Sequence, residues 1–130
     1  MSNLTKECLF CNKKKQNIIY TTKYIYVVRD SFPVTKYHSL IIPHRHVSNF
    51  FDLNKDELKD LSETLKKERQ SLLNLDNEIS GFNVGVNAGK DAGQSIMHCH
   101  IHLIPRRKGD IENPKGGVRG VIPSKQKYTK

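Results

Sequence analysis

The residues best equipped for chemistry in this chain lie in one short run, His98-Cys99-His100-Ile101-His102. On an extended strand successive side chains point to opposite faces. That spacing puts His98, His100 and His102 on one face, with Met97, Cys99, Ile101 and Leu103 behind them as an apolar backing. One histidine on a strand is an ordinary packed or solvated residue, whereas strict alternation concentrates imidazoles on a single surface. Two chemistries use such a face: a three-histidine metal site that activates water, or a nucleophilic imidazole flanked by assisting groups. The surroundings favour the second. Arg106, Arg107 and Lys108 follow the run, and the loop at 87–95 ahead of it offers Gly89, Gly93, backbone N–H groups and Ser95. These features hold phosphate, whereas a metal-bound water site would recruit carboxylates.

A second chemical feature is the pair Cys8-Leu9-Phe10-Cys11, whose spacing lets both thiolates reach one ion. With Cys99 the cysteines are odd in number, and a close pair in a reducing compartment serves metal or redox chemistry more often than a structural bridge. A metal there needs two further ligands; without them Cys8 and Cys11 are free or redox-active thiols. Cys99 reads as a small buried hydrophobe.

These groups must be positioned by ordinary elements. Residues 18–20 and 24–28 are β-branched and aromatic, with a short turn at 21–23, and predict a β-hairpin. Residues 30–33 are turn-like, and residues 39–42 predict a third strand stopped by Pro43. Residues 44–53 read as irregular or as a short helical turn. The clearest helix starts after Asn54, with Glu57 completing a capping box and Asp56 at the positive end. Leu58, Leu61, Leu65 and Leu72 then form one stripe, with Lys and Glu on the other face, to about Asn74. Residues 81–86 and 97–104 predict two more strands. After Pro105 the chain turns basic and Gly-rich, without periodicity. No repeat or linker divides the 130 residues, so the expectation is one domain, 1–130, with a basic tail at 111–130. The class is α+β: an antiparallel sheet of about five strands with one long and one short helix.

The run from His98 to Ile104 resembles the pattern His-φ-His-φ-His-φ-φ, with φ apolar, of the histidine-triad nucleotide-binding family. The resemblance extends to Gly93-Gln94-Ser95, to Asn87, to the segment from Lys36 to Pro43 and to Asp30. It implies that His100 is the nucleophile, that His102 contacts the phosphate or bridging oxygen, and that His38 lines the same site. It further implies that Asp30 binds the ribose hydroxyls and that Asn87, Gln94 and Ser95 bind phosphate or leaving group. Imidazole is largely neutral near pH 7 and attacks without a metal. Water then resolves the covalent intermediate, with backbone N–H groups near Gly93 to Ser95 and a cation such as Arg106 stabilising the transition state. In the zinc-bearing branch of that family the resemblance supplies His46 and His98 as partners for Cys8 and Cys11. The result is a closed, structural zinc site for which residues 1–15 are the N-terminal zinc-binding segment, with His44 the rival of His46. Homodimers are implied as well, with the leucine-striped helix available to bury an interface.

Lys plus Arg (22) exceed Asp plus Glu (13), a net charge of +9 that attracts anions in general. Lys13 to Lys15 and residues 125–130 hold much of it, as a solubility feature or a basic patch. Composition is that of a globular chain; no apolar run spans a membrane, no secretory leader is visible, and a cytoplasmic location is expected. The reading that follows is hydrolysis at the α-phosphate of a dinucleoside polyphosphate or a nucleoside phosphoramidate. Nucleotidyl transfer or phosphorolysis through the same intermediate is the near alternative. A zinc-stabilised nucleic-acid or protein-binding module is the distant one; a nucleic-acid partner is disfavoured because basic residues do not interleave with exposed aromatics.

Overall fold

β-Branched and aromatic residues build the first hairpin, β1 (Ile18–Thr21) and β2 (Ile25–Arg29), and its turn is docked rather than free. Asp60 accepts from the Thr22 hydroxyl (2.6 Å) and the Tyr24 N–H (2.9 Å), pinning the turn to the following helix. The computed structural model, which describes residues 7–128, continues with β3 (Ser39–Pro43), α1 (Lys55–Leu75), β4 (Ile79–Val86) and β5 (Ile101–Arg107). The strands form one antiparallel sheet in the order β1-β2-β3-β5-β4. The α+β, five-stranded expectation holds. Its short helix is a three-residue 3-10 turn, Phe50–Asp52.

The register gives the sheet two distinct faces. Ile25, Val27, Ile41 and Ile101 pack with Leu61, Val47, Leu53 and Cys99 under α1, so Cys99 is indeed a buried hydrophobe. Tyr26, Val28, Leu40 and Ile42 point the other way and are covered by Phe10 of the N-terminal segment. β2 and β3 are therefore buried on both sides, and they carry the site at their ends.

Three expectations are corrected. The strand expected at 97–104 begins only at Ile101 and runs through Pro105 to Arg107. Pro105 is tolerated because pairing to β3 stops at Leu103, so the missing N–H faces no neighbour strand on that side. The leucine stripe is narrower than its spacing suggests: Leu58 is 40% exposed. The inner face of α1 is completed instead by Glu57, Thr64 and Glu68, all buried, so Glu does not keep to the outer face. Each carboxylate is paired: Glu57 takes both guanidinium edges of Arg45 (2.8 and 3.0 Å), and Glu68 takes Arg29 and the Ser39 hydroxyl. The capping box is present, with Asn54 and Glu57 exchanging two 2.9 Å bonds. Within the expected basic tail lie 3-10 turns at Gly117–Val121 and Pro123–Lys125. The parts of the expected N- and C-terminal segments at 1–6 and 129–130 lie outside the described residues. No helix of the described residues is long and apolar enough to cross a membrane.

Leu72, wholly buried against Ile79 and Leu103, anchors the end of α1. Leu72→Ala should cost about 3 kcal/mol in urea unfolding. Leu58→Ala, from the same apparent stripe, should cost less than about 0.5 kcal/mol.

Candidate active site and metal cluster

β5 sets the site. Pairing of Leu40 with His102 places His102 on the face of Leu40, Val28 and Tyr26, away from α1. His100, just before the strand, opens on the same side with its ring edge-on to Phe10, centroids 5.0 Å apart. Its Nδ1 lies 2.8 Å from the His98 carbonyl, which can only accept. Nδ1 therefore carries the proton, and Nε2 keeps its lone pair.

A second chain of bonds fixes the other ring. The Val34 N–H, which can only donate, points at His38 Nδ1 (3.0 Å). His38 is thereby protonated on Nε2 and donates to His102 Nδ1 at 2.9 Å. His102 must then carry its proton on Nε2. A nucleophilic nitrogen and an N–H donor thus stand on neighbouring rings, centroids 5.4 Å apart. Asp30 lies 3.5 Å from His38 Nε2, and its other oxygen accepts from the Phe32 N–H at 2.9 Å.

The cavity beside these rings, about 490 Å³, is lined by Asp30, His38, Asn87, Ser95, His100 and His102 among others. Gly93 and Gln94, expected at the phosphate, do not line it. Their N–H groups bond to the Lys90 and Gly89 carbonyls, and the Gln94 amide binds Ser48 O, Ile96 O and the Gly89 N–H, so both brace the loop. Arg106, expected nearby, lies further along β5, paired twice to Asp110 (2.8 and 2.9 Å) and to Asn83 (2.7 Å). Lys15 lines the cleft instead, a cation that in sequence is only one of a surface-like lysine run. Phe10 and the Val34 N–H are the other contributors not foreseen. Phe10 could have been suspected from its place between the cysteines; a backbone N–H leaves no sequence signal.

His98 leaves the sheet. It is fully buried, its Nε2 donates to the Pro43 carbonyl (2.8 Å), and its Nδ1 faces Cys8 (3.3 Å) and Cys11 (3.5 Å). His46 Nδ1 meets Cys11 at 3.1 Å, so Cys8, Cys11, His46 and His98 all offer ligand atoms within 4.8 Å of one another. Tetrahedral zinc holds such S and N atoms about 3.5 Å apart, and the carbonyl behind His98 frees the nitrogen that faces the thiols. The donor set therefore fits zinc. His44 does not join it: its Nε2 binds Thr22 O and the Thr21 hydroxyl, and its ring lies on Tyr26. Asp30, His38 and His102 are also clustered, but the Val34 N–H occupies the His38 nitrogen that would have to hold the proton if the other bound metal.

Burial holds His102 down to about 4, helped by His100 and His38, and lowers His38 against the pull of Asp30. An unfolded histidine titrates near 6.5, so between those values the unfolded chain binds more protons than the folded one. Stability should fall as pH drops through that window and be indifferent to these rings above it. Thermal unfolding from pH 8 to 4 should show this slope, flatter in His102→Asn.

The HIT domain family model matches residues 12–109. A HIT-like protein of Methanocaldococcus jannaschii is 32% identical over 114 residues, covering 85% of this chain and 87% of that one. The asymmetrical bis(5′-nucleosyl)-tetraphosphatase of Schizosaccharomyces pombe is 37% identical over 94 residues, covering 72% of this chain but only 51% of its own. Among solved structures, a zinc-bound histidine triad family protein of Mycobacterium smegmatis superposes with a TM-score of 0.74 at 26% identity, covering 82% of this chain and 79% of that one. With its fold, its histidine run and three quarters of its length in agreement with that model, the chain belongs to the HIT family.

Proposed function

We propose that the chain is a nucleotide hydrolase that cleaves at the α-phosphate of nucleoside 5′-phosphoryl compounds through a nucleotidyl-histidine on His100. The substrate classes are dinucleoside polyphosphates and nucleoside phosphoramidates. One observation carries the reading: the His98 carbonyl holds the Nδ1 proton of His100, leaving Nε2 as a neutral nucleophile in a cleft, beside a ring that offers an N–H. The likeness to the yeast tetraphosphatase supports the reaction class.

Attack by His100 Nε2 forms an N–P bond as the bond from phosphorus to the leaving group breaks, its electron pair departing with that group. His102 Nε2–H is placed to hydrogen-bond the bridging atom, with His38 positioning it. Water then opens the N–P bond, giving the nucleoside monophosphate, and its proton balances the departed group. Asp30 is suited to ribose hydroxyls. Ser95 and Asn87 are suited to phosphate oxygens, with Lys15 adding positive charge. His100→Asn should lower turnover of an α-labelled diadenosine tetraphosphate by about a thousandfold or more, as loss of a covalent nucleophile does. Equal turnover by both proteins would sink the mechanism.

Zinc on Cys8, Cys11, His46 and His98 is proposed as structural. With four protein ligands it leaves no position for water, and when bound it supplies a cross-link rather than a catalytic centre. Phe10, between the two cysteines, would thereby be held against the His100 ring. Elemental analysis of chelator-free protein should give about one zinc per chain, and Cys8→Ser should lower both zinc content and thermal midpoint. Protein with far less zinc and no response to strong chelators would remove the site. A homodimer is proposed through β4, whose main chain pairs with β5 on one side only and whose Val84 is exposed.

A further inference from the structure

A neutral imidazole that forms a bond to phosphorus through Nε2 while keeping its Nδ1 proton becomes a cation. At His100 that cation needs company. The residue is buried, so water solvates the charge poorly, and among the described residues no carboxylate pairs with it; the one histidine facing an acid is His38, with Asp30. Two groups stand against the ring instead. One is the His98 carbonyl, 2.8 Å from Nδ1, and the other is the Phe10 ring, with centroids 5.0 Å apart and planes crossed at 61°.

Phe10 is held firmly in that position. It is buried among Tyr26, Val28, Leu40 and Ile42, and its carbonyl accepts from the Tyr26 hydroxyl. Cys8 and Cys11, on either side of it, meet His46 and His98. An aliphatic side chain would fill a mostly aliphatic cluster about as well. What the aromatic ring adds is a quadrupole, whose negative face attracts a cation lying within about 6 Å of the ring centre. The separation from His100 is inside that limit, and the two rings are crossed rather than stacked.

We propose that Phe10 is a positioning residue that acts through His100, turning its π face to the imidazole and stabilising the imidazolium of the nucleotidyl-histidine. The inference rests on the hydrolase reading above. On attack the Nε2 lone pair enters the N–P bond while the leaving group departs with its own electron pair, and the ring takes the positive charge. When water adds its hydroxyl to phosphorus, the N–P pair returns to Nε2, the ring is neutral again, and the water proton balances the departed group. A face that favours the cation therefore speeds formation of the intermediate and slows its breakdown. A ring that did no more than hold His100 in place would, when disturbed, impair both steps.

Mono-, di- and trifluorinated phenylalanine, placed at position 10 alone in the full chain, nearly keep the shape of the ring while draining negative charge from its face in steps. With α-labelled diadenosine tetraphosphate in rapid-quench experiments, adenylyl-protein should form more slowly with each fluorine, by about fivefold across the series. Once formed, it should break down faster in the same order. Phe10→Leu, which keeps the apolar packing and removes the ring face, should shift the two steps in the same opposite senses. Thermal midpoint and metal content should stay constant across the fluorinated series, so the result does not depend on how well the leucine variant folds. Rates indifferent to fluorine, formation that quickens with it, or two steps that slow together would overturn the role of the ring and leave the hydrolase reading standing. Monophosphate released without any adenylyl-protein, or no turnover at all, would overturn both.

Discussion

Everything the site can do depends on where the imidazole protons sit, and two backbone groups with no choice of role decide that. The His98 carbonyl can only accept, so His100 turns its protonated nitrogen inward. The Val34 N–H can only donate, so His38 and then His102 are forced into the complementary tautomer. Side chains in solution would sample both tautomers of each ring; here the main chain selects one, and burial of His38 and His102 keeps them from taking a second proton.

That selection needs the main chain itself to be held, which gives the buried carboxylates of α1 their place in the argument. Glu68 binds Arg29 at the end of β2 and Ser39 at the start of β3, and those two residues bracket the loop that carries Asp30, Val34 and His38. Glu57 holds Arg45 beside His46, on the segment that leads from β3 to the cysteine cluster. An unpaired buried carboxylate costs several kcal/mol, so these pairs are weak evidence of stability but strong constraints on geometry. The helix registers both ends of β3 at once.

Much of this is legible in the sequence itself. A period of two suffices to put His100 and His102 together, because facing follows from extended backbone even where ladder hydrogen bonds have not begun, as at His100. The capping box at Asn54 and Glu57 is local and was readable in full. The carboxylates were not, since a periodicity count scores Glu as outward and cannot see an arginine arriving from another strand. The continuation of β5 through Pro105 was not legible either, because the tolerance of that proline depends on where β3 ends. Gln94 has the right chemistry for phosphate, but its amide is already committed to the Ser48, Gly89 and Ile96 backbone. The Val34 N–H could not be read at all, because every residue but proline has one.

The same proton logic explains how one run of histidines serves two ends. At His98 a carbonyl, that of Pro43, sits behind the ring and takes the Nε2 proton, so Nδ1 is free to face two thiols. At His38 an N–H sits behind the ring, so the forward nitrogen is protonated and can only donate. An acceptor behind an imidazole makes the front a ligand or a nucleophile; a donor behind it makes the front an acid. His98 and His100 are of the first kind and His102, through His38, of the second. Extended alternation into β5 brings His100 and His102 together while His98 turns away to the cysteines, and the polarity of the backbone group behind each ring sets what it can do.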